Sequence, residues 1–208
     1  MSCESLLREG IEQLELTLNE AQNRALLVYH QLLQDWNKAY NLTAIRDPEQ
    51  MVIRHLLDSL SVVPHIHESD VIDMGTGAGL PGIVLAIVNP NKNYLLLDSN
   101  GKKTRFINQV KIELNLGNVK VAKSRAETYH PQEAYPAITS RAFATLADSV
   151  ALLDKLLVVG GRFYAMKGKL PDHELDQLPE AYLLEKLQPI TVPFLSEERH
   201  LVTIKRLA

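Results

Sequence analysis

The first 60 residues carry apolar side chains at helical spacing. Leu6, Leu7, Ile11 and Leu14 recur every three or four positions, and Leu26, Leu27, Leu32, Leu33 and Trp36 repeat the pattern in a second segment. Asp47-Pro48 places a capping residue before a proline at the first helical position. A third helix is therefore expected to carry Met51, Ile53, Leu56, Leu57 and Leu60. From residue 70 the period changes. Short apolar runs at Val71-Ile72, Tyr94–Leu97, Val119–Ala122, Ala137–Thr139 and Gly161–Met166 alternate with helical patterns at Leu80–Val88, Lys102–Leu114 and Leu146–Leu157. Two more apolar alternations follow, at Tyr182–Val192 and Leu201–Ile204. Strands alternating with helices predict a parallel sheet covered on both faces. The polar stretch Pro64–Asp70 is the expected boundary between a helical cap, residues 1–66, and an α/β domain, residues 67–208, the two forming one compact unit.

Composition narrows the setting. The 208 residues are 46% hydrophobic and 23% charged, ordinary values for a soluble globular chain. No window approaches the about 18 consecutive apolar residues that a membrane span needs. The start lacks the basic-then-apolar pattern of a signal peptide. With a single cysteine, Cys3, unable to form an internal disulfide, a cytoplasmic location is expected. The net charge of −3 argues against wholesale electrostatic binding to nucleic acid. Its distribution is uneven, however. Residues 99–125 hold Lys102, Lys103, Arg105, Lys111, Lys120, Lys123 and Arg125 against Glu113 alone. A local basic patch on a mildly acidic protein suits phosphates, with a solvated helix face as the plainer alternative.

The densest chemical signal is Val71-Ile-Asp-Met-Gly-Thr-Gly-Ala-Gly-Leu-Pro-Gly82. Glycines between a strand and a helix permit positive φ and close approach of a ligand to the backbone. A cofactor is therefore expected over Gly75, Gly77 and Gly79. Gly77-x-Gly79-x-x-Gly82 fits a dinucleotide fingerprint, but Pro81 interrupts it and Asp73 occupies a strand position that is usually apolar. The frame Asp73-x-Gly75-x-Gly77-x-Gly79 instead looks like the first motif of S-adenosylmethionine-dependent methyltransferases. Asp98 closes the second strand, 23 residues after Gly75. A carboxylate at about that distance accepts ribose hydroxyls, and either nucleoside ligand would use it.

Absent motifs narrow the reaction. Methylation at C5 of a pyrimidine needs a cysteine nucleophile, and Cys3 sits at the terminus. Methylation of exocyclic amines typically uses an Asn/Asp-Pro-Pro-aromatic loop, where this chain reads Ser140-Arg-Ala-Phe143. Atoms already nucleophilic remain, such as guanine N7, whose methylation needs alignment and no general base. His55, His65 and His67 match no standard zinc spacing, so no metal is expected. Phe143 and Tyr164 are candidates to stack on a base, with core packing the plainer alternative. A nicotinamide-dependent oxidoreductase and a non-catalytic RNA-binding module are the competing classes.

Several blocks together resemble one bacterial family. They are Trp36-Asn-Lys-Ala-Tyr-Asn-Leu-Thr43, Arg54-His-Leu-Leu-Asp-Ser-Leu60, Asp73-Met-Gly-Thr-Gly-Ala-Gly-Leu-Pro-Gly82, Leu97-Asp-Ser-Asn-Gly-Lys-Lys103, Ser124-Arg-Ala-Glu127, Ser140-Arg-Ala-Phe143, Gly161-Arg-Phe-Tyr-Ala-Met-Lys-Gly168 and Glu198-Arg-His-Leu-Val202. The chain resembles the ribosomal RNA small subunit methyltransferase G family, also called glucose-inhibited division protein B. The resemblance implies a Rossmann-like class I methyltransferase: a seven-stranded, mostly parallel sheet, last strand antiparallel, behind an N-terminal helical cap. It implies methyl transfer from S-adenosylmethionine to N7 of a guanine in the decoding region of 16S rRNA. By position, the cofactor is expected at Gly75, Gly77, Leu80, Asp98, Ala126, Glu127 and Arg141. Lys102, Lys103 and Arg105 are the expected RNA contacts. The expected partner is 16S rRNA or the small ribosomal subunit, with no membrane, no metal and a monomeric chain.

Overall fold

Helix starts in the N-terminal region coincide with capping side chains. The structure, a computed structural model, describes residues 2–141, 146–168 and 178–208. Helix α1 (Cys3–Gln13) begins where Ser2 Oγ accepts from the Ser5 amide. Helix α2 (Glu20–Tyr40) begins at a reciprocal capping box between Asn19 and Gln22 and ends at Asn41, which takes the left-handed conformation, φ 50°. Asp47 caps α3 (Pro48–Met51) through the Gln50 amide, with Pro48 at the first position as expected. The third helix is not uniform. It widens into a π segment over Val52–Leu57 and resumes as α4 (Asp58–Leu60). A π turn changes which residues share a face. Here both His55 and Asp58, polar members of an otherwise apolar segment, are buried.

The α/β part follows the predicted alternation closely. It comprises β1 (Asp70–Met74), α5 (Gly82–Val88), β2 (Asn93–Asp98), α6 (Gly101–Glu113), β3 (Val119–Lys123), β4 (Tyr135–Arg141), α7 (Leu146–Leu156), β5 (Leu157–Lys167), β6 (Tyr182–Pro189) and β7 (His200–Arg206). Strand β5 begins at Leu157, ahead of the expected Gly161, directly at the end of α7. A register break makes this possible: Tyr135 pairs with Leu157 but Ala137 with Arg162, and Gly160 absorbs the irregularity at φ +82°. The sheet order is β3-β2-β1-β4-β5-β7-β6. Strands β1 to β5 pair in parallel, and β7 runs antiparallel to both β5 and β6. This is the α/β class I methyltransferase architecture that the resemblance implied. The chain leaves β1 toward β2 and β3, then returns to place β4 on the other side of β1. The carboxyl ends of β1 and β4 therefore mark the switch point where open α/β sheets hold ligands.

Side chains alternate between two buried layers. Val71, Tyr94 and Leu96 face α5, α6 and the cap, whereas Ile72, Met74, Leu95 and Leu97 face α7. Both faces are apolar, as a covered parallel sheet requires. The cap adds no separate core. Leu26, Tyr29, Leu33 and Leu57 belong to the same cluster as Ile83, Leu96 and Phe106. Because cap and sheet share one cluster, Leu33→Ala is expected to cost about 2–5 kcal/mol and to lower a single transition. Urea unfolding followed by Trp36 fluorescence and by far-ultraviolet circular dichroism checks this. Separated midpoints would mean that the cap unfolds on its own.

Candidate active site

The site is built on one misplaced charge. Alternation along β1 points residue 73 toward the cap-side layer, opposite Leu96, where an apolar residue would be ordinary. Asp73 stands there, fully buried. Its Oδ2 accepts from Thr76 Oγ1 at 2.5 Å and from the Gly82 amide at 2.7 Å. The loop after β1 is thereby folded back over the end of its own strand. Gly82 permits this approach: a Cβ there would lie 2.6 Å from Asp73 Oδ2. Among the described residues, Asp73 Oδ1 is buried with no hydrogen-bond partner. Burial pushes the carboxyl up to about 6, while the Thr76 and Gly82 bonds and the Arg141 charge hold it down and Asp98 raises it.

The outer side of the same loop is held by the end of β2. The Leu97 carbonyl accepts from the Gly75 and Thr76 amides at 2.9 and 3.1 Å. Asp98 Oδ2 accepts from the Gly77 amide at 2.9 Å, and its Oδ1 from the Asn100 amide at 2.8 Å. Gly77 sits at φ +62°, and a Cβ there would meet only ordinary contacts at 3.9 Å, so backbone conformation and not crowding requires glycine there. From the cap, the buried Tyr29 hydroxyl donates to the Ala78 carbonyl at 2.8 Å. The loop thus hangs on Asp73 beneath, Asp98 beside and Tyr29 from the cap.

A cleft of about 350 Å³ opens next to this loop, lined by Gly75, Leu97, Asp98, Ser99, Lys103, Ser124, Arg125, Ala126 and Glu127. It gathers four of the expected cofactor residues: Gly75, Asp98, Ala126 and Glu127. The last two come from a short 3-10 turn, Ala126–Thr128, just after β3. The residue types suit a nucleoside: carboxylates for hydroxyl and amine donors, Leu97 and Ala126 for an apolar ring. A larger hollow of about 520 Å³ lies among Asp70, Lys120 and Tyr135, at the amino ends of the strands and away from the switch point.

Other expected residues lie elsewhere. Leu80 is buried beneath the loop in the cap-side cluster. Lys103, expected on the RNA face, lines the cleft, while Lys102 and Arg105 are exposed on α6. Arg141, at the end of β4, donates to the Arg54 carbonyl at 2.9 Å and to Asp58 Oδ2 at 3.2 Å. Arg199 donates to the other Asp58 oxygen at 3.1 Å, so one buried cap carboxylate holds arginines from two segments. Arg54 pairs with Glu197 at 2.5 Å. Tyr164 is no stacking platform. It is buried in β5, with its hydroxyl donating to Glu68 at 3.1 Å. Phe143 lies outside the described residues. Sequence reasoning missed the work of Asp73, Thr76 and Tyr29. Asp73 did leave a signal, as a charge within an apolar strand.

The cap contributes one acid-sensitive group. His55 is buried, and its Nε2 lies 2.9 Å from Thr43 Oγ1. Burial, then the Arg141 charge, lowers its pKa to about 4. Unfolding releases this constraint, so the contribution of His55 to stability is complete above pH 6.5 and is lost as pH falls toward 4. That loss is about 3 kcal/mol. Asp73 has the opposite sign, its folded value of about 6 lying above the free value of 3.8, so its cost is relieved in acid. His55→Gln is therefore expected to gain stability relative to the parent between pH 6.5 and 4.5. Urea titrations at stepped pH check this, and parallel pH profiles would refute it.

With the geometry in place, comparison with known proteins is direct. The family model described as rRNA small subunit methyltransferase G matches residues 22–202. Ribosomal RNA small subunit methyltransferase G of Pseudomonas syringae pv. tomato is 50% identical over 202 residues, 97% of this chain and 96% of that protein. The protein of the same name from Enterobacter sp. is 48% identical over 195 residues, 94% of each chain. Among solved structures, an rRNA methylase from Streptococcus thermophilus aligns with a TM-score of 0.51 at 19% identity, covering 73% of this chain and 94% of that one. A Streptococcus mutans protein in complex with SAH aligns with a TM-score of 0.50 at 20% identity, covering 73% and 96%. At such identities the structures speak for the fold alone. The near full-length relatives speak for the lineage: this chain belongs to the rRNA small subunit methyltransferase G family.

Proposed function

We propose that the protein transfers a methyl group from S-adenosylmethionine to small-subunit ribosomal RNA, at N7 of a guanine in the decoding region. The observation that carries the cofactor reading is the gathering of Gly75, Asp98, Ala126 and Glu127 around one cleft at the carboxyl ends of β1, β2 and β3. Each Asp98 oxygen already accepts one backbone amide and retains capacity for a second donor, so both ribose hydroxyls can be served. Glu127, exposed on the rim, is positioned to accept from an adenine amine. The bound cofactor supplies an activated methyl on its sulfonium. A guanine N7 lone pair needs no deprotonation, so the protein's task reduces to alignment. The exposed Lys102 and Arg105, at the start of a helix beside the cleft, suit RNA phosphates.

The direct test is incubation with methyl-labelled cofactor and small-subunit RNA, followed by mapping of the modified nucleotide. Label at a guanine N7 in the decoding region supports the proposal, and label elsewhere or none refutes it. Gly77→Val is expected to weaken S-adenosylhomocysteine binding at least about tenfold in a calorimetric titration. A β-branched residue at φ +62° is strained by about 1–3 kcal/mol, and relief of that strain moves the Gly77 amide off Asp98. The paired reversals Lys102→Glu and Arg105→Glu are expected to weaken RNA binding and flatten its salt dependence. An unchanged slope would identify the patch as a solvated face.

A further inference from the structure

Helix α2 reaches past the cofactor loop. Near its start, the Gln22 side chain donates from Nε2 to the Val88 carbonyl at the end of α5. Seven residues on, Tyr29 bonds Ala78, in the loop that precedes α5. Helix α2 therefore runs antiparallel to α5, toward the carboxyl edge of the sheet where the cleft opens. From Tyr29 to Tyr40 it continues for about 16 Å. Its last turns form a wall above that edge.

The wall ends in an aromatic ladder. Phe106 of α6 is fully buried, Trp36 packs on it with centroids 5.6 Å apart, and Tyr40 packs on Trp36 at 5.1 Å, tilted by 31°. Tyr40 is the outermost rung and is 37% exposed. Phe106 immediately follows Arg105, and the amino end of α6 lies at the same edge of the sheet. The ladder thus ties the helix that ends in an exposed aromatic to the helix that carries the exposed cations Lys102 and Arg105. A lone exposed tyrosine needs no explanation. One stacked on a buried support, on a helix that runs toward the edge where the cleft opens and packs against the helix carrying the exposed Lys102 and Arg105, has the composition of a single-strand nucleic-acid surface: phosphate-neutralising cations on the same side of the molecule as a face on which a base stacks.

We propose that Tyr40 is a stacking platform for an unpaired base of the RNA substrate, one that flanks the methylated nucleotide. The inference rests on the RNA reading above and adds the residue by which the cap takes part in substrate selection. Stacking gives the cap a purpose that its packing alone does not require. Trp36 and Phe106 hold the platform rigid, so little ordering cost falls on binding. The nucleobase contributes a π face that any base offers, and Tyr40 therefore favours open RNA over duplex without reading its sequence.

The experiment compares the parent with Tyr40→Phe, Tyr40→Leu and Tyr40→Ala, using small-subunit RNA and S-adenosylhomocysteine as separate ligands. Leucine keeps apolar contact with Trp36 but has no π face; phenylalanine keeps both. The proposal requires Leu and Ala to weaken RNA binding roughly 5- to 100-fold, with the salt slope and the homocysteine-ligand affinity unchanged, and Phe to match the parent. Equal RNA affinity for Leu and Phe overturns it, because packing would then be the whole role of Tyr40. Equal affinity for Ala and the parent overturns it as well. A parent that transfers no methyl to small-subunit RNA overturns the functional reading, and a parent that transfers methyl while Leu equals Phe overturns this inference alone.

Discussion

The site depends on a carboxylate placed where the sheet would otherwise bury a hydrocarbon. Asp73 receives Thr76 and Gly82 on a single oxygen and so closes the loop after β1 into a fixed arc. Burying this group is costly, and its raised pKa records that cost. What the cost achieves is geometric. Two points of the loop, six residues apart, are tied to one atom, and between them the Gly77 amide is turned to Asp98 at the end of β2. An apolar residue at position 73 would pack well and leave that arc undefined.

The second carboxylate completes the arrangement from outside. Asp98 fixes Gly77 and Asn100 by their amides, so the same group that would meet the ribose also shapes the loop beside it. Its geometry is therefore set before a ligand arrives, which lowers the cost of ordering on binding. A pair of acids on opposite sides of one glycine arc, one buried beneath it and one lining the cleft, holds its backbone from both sides.

The cap is tied to this centre by three kinds of contact. Its leucines share the sheet's core, Tyr29 holds the loop at Ala78, and Asp58 takes arginines from the end of β4 and from the segment before β7. A buried ion pair adds little stability over an apolar one of similar size, though breaking it is expensive. Here it fixes position. Arg141 is held at the end of β4, within electrostatic reach of Asp73 and His55. Charge in the cap and charge under the glycine loop are thereby coupled through one guanidinium.

Much of this was legible in the chain itself. The helix start at Asp47, the strand-helix alternation from Asp70 onward, the glycine arc and the terminal Asp98 are all local patterns. Local patterns record capping, periodic burial and backbone freedom. Other features have no local trace. The π segment that buries His55 and Asp58 depends on what lies across from it. So does the insertion of β7 between β5 and β6. Lys103 lines the cleft near Gly77 and Tyr164 is buried with its hydroxyl on Glu68, and both neighbours are distant in sequence. Sequence alone determined which elements form and where the glycine loop falls. Tertiary structure decided which charges meet, because a charged side chain's partner is chosen by strand order and helix packing, which bring together residues that spacing along the chain cannot relate.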